Sequence, residues 1–147
     1  MENLLILYGP DSATNKAIVD EVKNAFAAAD FSSKVKAASE SSIVDIASAD
    51  VILFGSEKTG GLVVPKDYAA LARMCRGANL AGKCAGFFAL GTDKPSSELR
   101  AALEKSDISI LNGEAAFSER ENDRKSKISE WVREISRSCR EIRNARG

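Results

Sequence analysis

Three short apolar runs, each stopped by a glycine, restrict this 147-residue chain more than any other feature. Asn3 to Tyr8 reads N-L-L-I-L-Y before Gly9-Pro10. Val51 to Phe54 reads V-I-L-F before Gly55-Ser56, and Lys83 to Leu90 reads K-C-A-G-F-F-A-L before Gly91. Runs this short and this continuously apolar suit strands covered on both faces and ended by turns.

The intervening segments carry helical periodicity. Ile18, Val19, Val22, Ala25, Phe26 and Ala29 form one stripe, with Asp20, Glu21, Lys23 and Asn24 on the other face. Ser33 to Ala38 alternates weakly and reads as an edge strand, and Ile43, Val44 and Ile46 predict a short helix after it. Tyr68, Leu71, Ala72 and Cys75 mark another helix. Pro95 opens a further one through Leu99, Ala102 and Leu103, and Ile108 to Leu111 gives a fifth strand before Asn112-Gly113. Ile128, Trp131, Val132, Ile135 and Cys139 line a last helix. Strands alternating with helices predict a single domain over residues 1–147, an α/β three-layer sandwich around a five-stranded parallel sheet of order 2-1-3-4-5. Arg137, Arg140, Arg143 and Arg146 make residues 137–147 a basic end that is free to fray.

Composition removes several kinds of chemistry. With 21 basic and 21 acidic side chains the formal charge is zero, so no overall field recruits nucleic acid or an anionic membrane. The chain has no histidine, which excludes Ser-His and Cys-His nucleophile pairs and every histidine-containing metal site. Its three cysteines are one short of an all-cysteine zinc site and have no C-x-x-C spacing. The N-terminus lacks a basic region and a cleavable apolar core, and no stretch reaches the roughly 18 apolar residues of a membrane span. The expectation is a cytoplasmic protein with free thiols and no metal. Cys84 and Cys139 lie in apolar patterns. Cys75, beside Arg76, is the one thiol whose pKa would be depressed if it were exposed.

In a doubly wound sheet, ligands bind beyond the carboxyl ends of the strands where neighbouring crossovers leave on opposite faces. Three loops qualify. The first contains Asp11, Ser12, Ala13, Thr14 and Asn15 and leads straight into a helix, whose free N–H groups suit either a phosphate or a simple N-cap by Asp11 or Ser12. The second, from Gly55 to Tyr68, exceeds the usual 2–6 residues and holds Glu57, Lys58, Thr59, Gly60 and Gly61. The third holds Gly91, Thr92 and Asp93.

From Asn3 to about Ile135 this layout resembles the flavodoxin family, more in arrangement than in motif. The family's T-x-T-G-x-T phosphate loop corresponds to Pro10, Asp11, Ser12, Ala13, Thr14 and Asn15, and L-A-G-K at Leu80 to Lys83 is also flavodoxin-like. The resemblance implies noncovalent FMN and electron transfer between redox partner proteins, without a catalytic acid or base of the chain's own. It assigns the phosphate to Asp11, Ser12, Ala13, Thr14 and Asn15, and the ring to Glu57, Lys58, Thr59, Gly60 and Gly61 on one side and Gly91, Thr92 and Asp93 on the other. Three departures stand out. Pro10 has no N–H to offer, Ala13 replaces a glycine, and Lys58 and Thr59 stand where the family has an aromatic. Asp11 would also repel a phosphate, by on the order of 3 kcal/mol per unit charge at ~5 Å and an effective dielectric of about 20.

Those departures keep a second expectation in view, a flavodoxin-fold module that has lost flavin and serves in binding or regulation. A flavin-dependent quinone reductase would need a substrate pocket that no segment supplies. A response-regulator receiver, of the same strand order, needs an acceptor aspartate and a lysine where Gly55-Ser56 and Leu111-Asn112-Gly113 stand. A dinucleotide-binding domain needs G-x-G-x-x-G where only Gly9 is present.

Overall fold

The computed structural model describes residues 2–9, 13–59, 62–63, 73, 75, 79–90, 103–104, 108–111, 115–117 and 121–146. The strands are β1 (Glu2–Gly9), β2 (Phe31–Ala37), β3 (Val51–Thr59), β4 (Leu62–Val63), β5 (Cys84–Leu90), β6 (Ser109–Ile110) and β7 (Ala115–Phe117). The helices are α1 (Ala13–Ala28), α2 (Ile43–Ser48) and α3 (Glu121–Arg146), with a 3₁₀ turn at Ala38–Glu40. Residues 73 and 75 and residues 103 and 104 are also helical. The order β2-β1-β3-β5-β6 is parallel throughout, which is order 2-1-3-4-5 when the five main strands are counted along the chain.

Burial on both faces explains why these runs become central strands. Leu4, Ile6 and Tyr8 of β1 point to one side with Leu53 and Phe88, and pack under Val22, Phe26, Trp131 and Ile135 of α1 and α3. Leu5 and Leu7 point to the other with Ile52, Phe54 and Phe87, and pack under Ile46, Cys75 and Leu103. On the first face, edge-on aromatic contacts run from Phe31 to Phe26 (5.2 Å), Phe26 to Trp131 (6.0 Å) and Trp131 to Phe88 (5.4 Å). Arg124 donates to both carboxylate oxygens of Glu21 at 2.7 and 2.9 Å, which joins α1 to α3 and holds Glu21 below the usual carboxylate range.

The starting ends of the strands are tied through Asp50. Its N–H donates to Asn3 O (2.9 Å), its carboxylate accepts from Asn3 N–H (3.0 Å), and its carbonyl accepts from Cys84 N–H (3.0 Å). The L-A-G-K segment is a turn in which Lys83 N–H donates to Leu80 O at 3.2 Å. Gly82 sits at φ 90°, the conformation that the third residue of a type II turn requires. That turn delivers the Lys83 ammonium to Ala47 O and Ala49 O (2.7 and 2.6 Å), where it caps the last carbonyls of α2. At its other end α2 begins with a capping box between Ser42 and Asp45. Asp45, buried, also accepts from Lys34 (3.2 Å) and Lys36 (3.0 Å) of β2. The Lys36 hydrogen bond, with those from Lys34 and Ser42, holds its carboxyl well below the ordinary value despite burial.

Two strands differ from the sequence reading. β3 does not stop at Phe54 but runs through Gly55 to Thr59, because Gly55 is a packing residue rather than a breaker. It pairs with Tyr8 on one side and Phe88 on the other, and a Cβ placed on it would overlap the Phe88 ring. The fifth strand does not end at Leu111 but resumes as β7. Between its two parts, the three-residue step from Ala85 to Phe88 on β5 is matched by a five-residue step from Ile110 to Ala115. Such an excess interrupts a ladder without ending it. The last helix extends to Arg146, with Cys139 buried and Ile142 half-buried against the core.

Two outcomes follow from this packing. Gly55→Ala should cost about 1–3 kcal/mol in urea denaturation, as overpacking does, and Phe88→Leu in the same chain should recover part of that loss. Additive losses in the double variant would show that the two positions do not share this space. Asp45→Asn should cost about 1–3 kcal/mol at pH 7. Since the folded-state pKa of Asp45 lies below the unfolded value, its contribution is present above about pH 4 and is lost progressively as pH falls from there toward the folded-state pKa. Urea titrations between pH 2 and 7 should therefore give a flatter profile for the variant, and an unchanged slope would assign the acid sensitivity elsewhere.

Candidate functional site

The carboxyl edge is where the strand ends converge. The register places Gly9 beside Ser56, Ser56 beside Ala89, Glu57 beside Leu90 and Leu90 beside Phe117. The chain therefore leaves β1, β3, β5 and β7 along one continuous edge. After β1 it returns through α1, on the face of Val22 and Phe26; after β3 it returns past Cys75, on the opposite face. Crossovers leaving adjacent strands on opposite faces open a crevice between them, here between β1 and β3.

The first turn of α1 points its N-terminus at this crevice's edge. Only residues 10–12 separate β1 from Ala13, where α1 begins, and no acidic residue lies in the helix's first turn. The first four N–H groups of a helix have no i−4 carbonyl, so Ala13, Thr14 and Asn15 carry backbone donors available to an anion. Asp11 and Ser12 lie outside the described residues.

Glu57, Lys58 and Thr59, expected in a loop, are instead the last residues of β3. Each has a ladder partner: Glu57 pairs with Leu90, and Lys58 and Thr59 pair antiparallel with Val63 and Leu62 of β4. These successive partners explain why the strand continues. Gly60 and Gly61 are the two residues between Thr59 and Leu62 in the sequence. Gly60, Gly61, Gly91, Thr92 and Asp93 lie outside the described residues, as do Tyr68, Leu71, Ala72, Pro95, Leu99 and Ala102 of the expected helices.

No family model and no curated protein matches the sequence. Solved structures do match it. A short-chain flavodoxin associated with a bacterial microcompartment aligns over 95% of this chain and 99% of its own, with TM-score 0.77 and 13% identity. Oxidised flavodoxin 2 from Bacillus cereus aligns over 92% and 98%, with TM-score 0.76 and 19% identity. A flavodoxin from Fusobacterium nucleatum, solved bound to flavin mononucleotide, aligns over 93% and 98%, with TM-score 0.73 and 15% identity. The fold is that of the flavodoxins.

Within this flavodoxin-like frame the aromatic side chains can be accounted for. The chain has nine, and Tyr8, Phe26, Phe31, Phe54, Phe87, Phe88 and Trp131 are buried in the two cores. Tyr68 and the side chain of Phe117 lie outside the described residues. The backbone of Phe117 stands at the carboxyl edge, beside Leu90. Sequence reading missed it because the fifth strand was ended at Leu111; an aromatic following A-A after Asn112-Gly113 was the available signal.

Among the described residues no cluster of acidic or thiol side chains is arranged to hold a metal, and no helix is long and apolar enough to cross a membrane. Cys75 is not exposed. All three thiols are buried, and burial pushes Cys75 up to about 11, the reverse of the activation that Arg76 would give at the surface. The native chain should therefore release almost no colour with dithionitrobenzoate at pH 8, and all three thiols should react in 6 M guanidinium. Rapid reaction of one native thiol would contradict this burial.

Proposed function

We propose that this chain binds FMN noncovalently at the carboxyl edge and carries electrons between protein partners. The observation that supports the reading best is the topological switch point between β1 and β3, with residues 10–12 alone between β1 and α1 and no acidic residue in that helix's first turn. These features fit a phosphate. The flavin would supply the electron chemistry by accepting and releasing electrons, and the chain's part is to hold and surround it.

In this reading the hydroxyls of Ser12 and Thr14, the Asn15 amide and the backbone donors of residues 11–15 take the phosphate. The Asp11 carboxylate must turn outward or cap the helix, since a dianion beside it is repelled. The end of β3 at Glu57, Lys58 and Thr59, with Gly60 and Gly61, borders one side of the ring, and Gly91, Thr92 and Asp93 border the other. With seven aromatics committed to the cores, any aromatic face against the ring comes from Tyr68 or Phe117. A second reading, a module without flavin that serves in binding or regulation, draws on Pro10, Asp11 and the absence of an aromatic at Lys58 and Thr59.

Titration of the colourless apo-chain with FMN separates the two. Saturable quenching of flavin fluorescence is expected, and Asp11→Thr should tighten binding by ~1–3 kcal/mol through relief of repulsion and an added donor. Tyr68→Ala or Phe117→Ala, whichever removes the stacking face, should reduce the quenching. Unquenched fluorescence at saturating protein would leave the flavin-free module as the function.

A further inference from the structure

The opposite end of the sheet carries a feature that the flavin reading does not use. Between edge strand β2 and the six-residue helix α2 lies a groove of about 370 Å³, walled by Asn3, Leu5, Ser32, Lys34, Val44 and Ser48. It exists because α2 is too short to cover the starting half of β1 and β2. Val44 (68% exposed) and Ile43 (41%) stand on α2 at this place, and they are the exposed large hydrophobic residues of the described chain. Most of the residues lining the groove are polar, and Val44 sets an exposed apolar side chain at its wall, so it offers both kinds of contact.

Three observations identify the occupant. First, β2 pairs only with β1 among the described residues, so the outer N–H and C=O groups of Phe31–Ala37 form an open edge. Second, the two lysines of this edge are both ion-paired to Asp45 of α2, with Lys36 (33% exposed) drawn in further than Lys34. Third, two ammonium groups on one carboxylate leave a net charge of one positive unit, and it is presented at Lys34, whose side chain is 62% exposed against 7% for Asp45. A second copy of this chain pairing antiparallel about the middle of β2 would set Lys34 opposite its own counterpart, a like-charge arrangement that costs stability. An acidic strand meets no such penalty.

We propose that this groove docks an extended acidic segment of another protein, which adds to the open edge of β2 as a further strand. On the side facing α2, residues two apart in that segment would place an apolar side chain beside Ser32, toward Val44, and a carboxylate beside Lys34. Main-chain pairing supplies part of the affinity, and the charge and the groove supply the selection. Docking here leaves the carboxyl edge free, so a partner would be held at one end of the sheet while the other end exchanges electrons.

The test uses the full chain without added flavin, so its outcome is independent of FMN binding. The probe is a fluorescein-labelled heptapeptide of threonines with leucine at its second and sixth positions and glutamate at its fourth; its counterpart carries lysine at the fourth. Anisotropy should show the glutamate peptide binding about tenfold or more tightly than the lysine peptide, with amide shifts along Ser32–Lys36. Val44→Asn should weaken both peptides about tenfold with the circular dichroism unchanged, and Lys34→Glu should reverse the preference in favour of lysine. Equal affinity for the two peptides, no binding of either, shifts confined to other strands, or a β2-mediated dimer in sedimentation would each overturn the proposal.

Discussion

A parallel strand buried on both faces must be covered twice, and the rest of this structure depends on how that is done for β1, β3 and β5. Each contributes alternate side chains to two separate cores, one under α1 and α3 and one under α2 and the segments carrying Cys75 and Leu103. The tightest point is Gly55. There the absence of a side chain lets the Phe88 ring lie over the central strand and reach Trp131, so one missing carbon joins the sheet to its longest helix. Dense packing of this kind is intolerant of added volume, which is why a glycine within an otherwise apolar strand is structural here.

The polar interactions are concentrated where apolar packing cannot set position. α2, with six residues, is too short to be stable by propensity. It is fixed from three directions: Ser42 at its start, Lys83 on its last carbonyls, and Asp45 held to β2 by two lysines. Asp45 thus serves the capping box and the cross-link to the sheet with one carboxylate. A group used twice cannot be replaced by an isostere that satisfies only one role, and its charged state couples the position of the helix to pH.

Layer, strand order and core were legible in the sequence because they follow from periodicity. Leu4–Tyr8 and Cys84–Leu90 are too apolar to be anything but doubly covered, and Trp131 and Ile135 recur at helical spacing. Where the reading stopped short, the information was not local. Gly55 looks like a strand end until its neighbour Phe88 is known, since the reason for the glycine lies 33 residues away along the chain. The fifth strand looks finished at Asn112-Gly113 because a ladder that resumes after extra residues leaves no period across the gap. Whether Arg76 activates Cys75 depended on exposure, and adjacency in sequence does not reveal burial. Of the expected site, the strand ends and the start of α1 were legible as turn residues following apolar runs, whereas the membership of Glu57, Lys58 and Thr59 in β3 depends on partners that no local pattern announces.

The distribution of aromatic side chains bears on how such a fold can hold an aromatic ligand. A ring in this position needs an apolar or aromatic face, and this chain places Phe26, Phe31, Phe88 and Trp131 in one core and Phe54 and Phe87 in the other. Moving one of them to the edge would open a cavity, with a typical cost of 3–5 kcal/mol for a buried Phe or Trp. A stacking face therefore cannot be supplied by rearranging these core rings without a loss of that order. The backbone of Phe117, by contrast, is fixed to the carboxyl edge through its ladder with Leu90, so its position is set by the strand and not by either core.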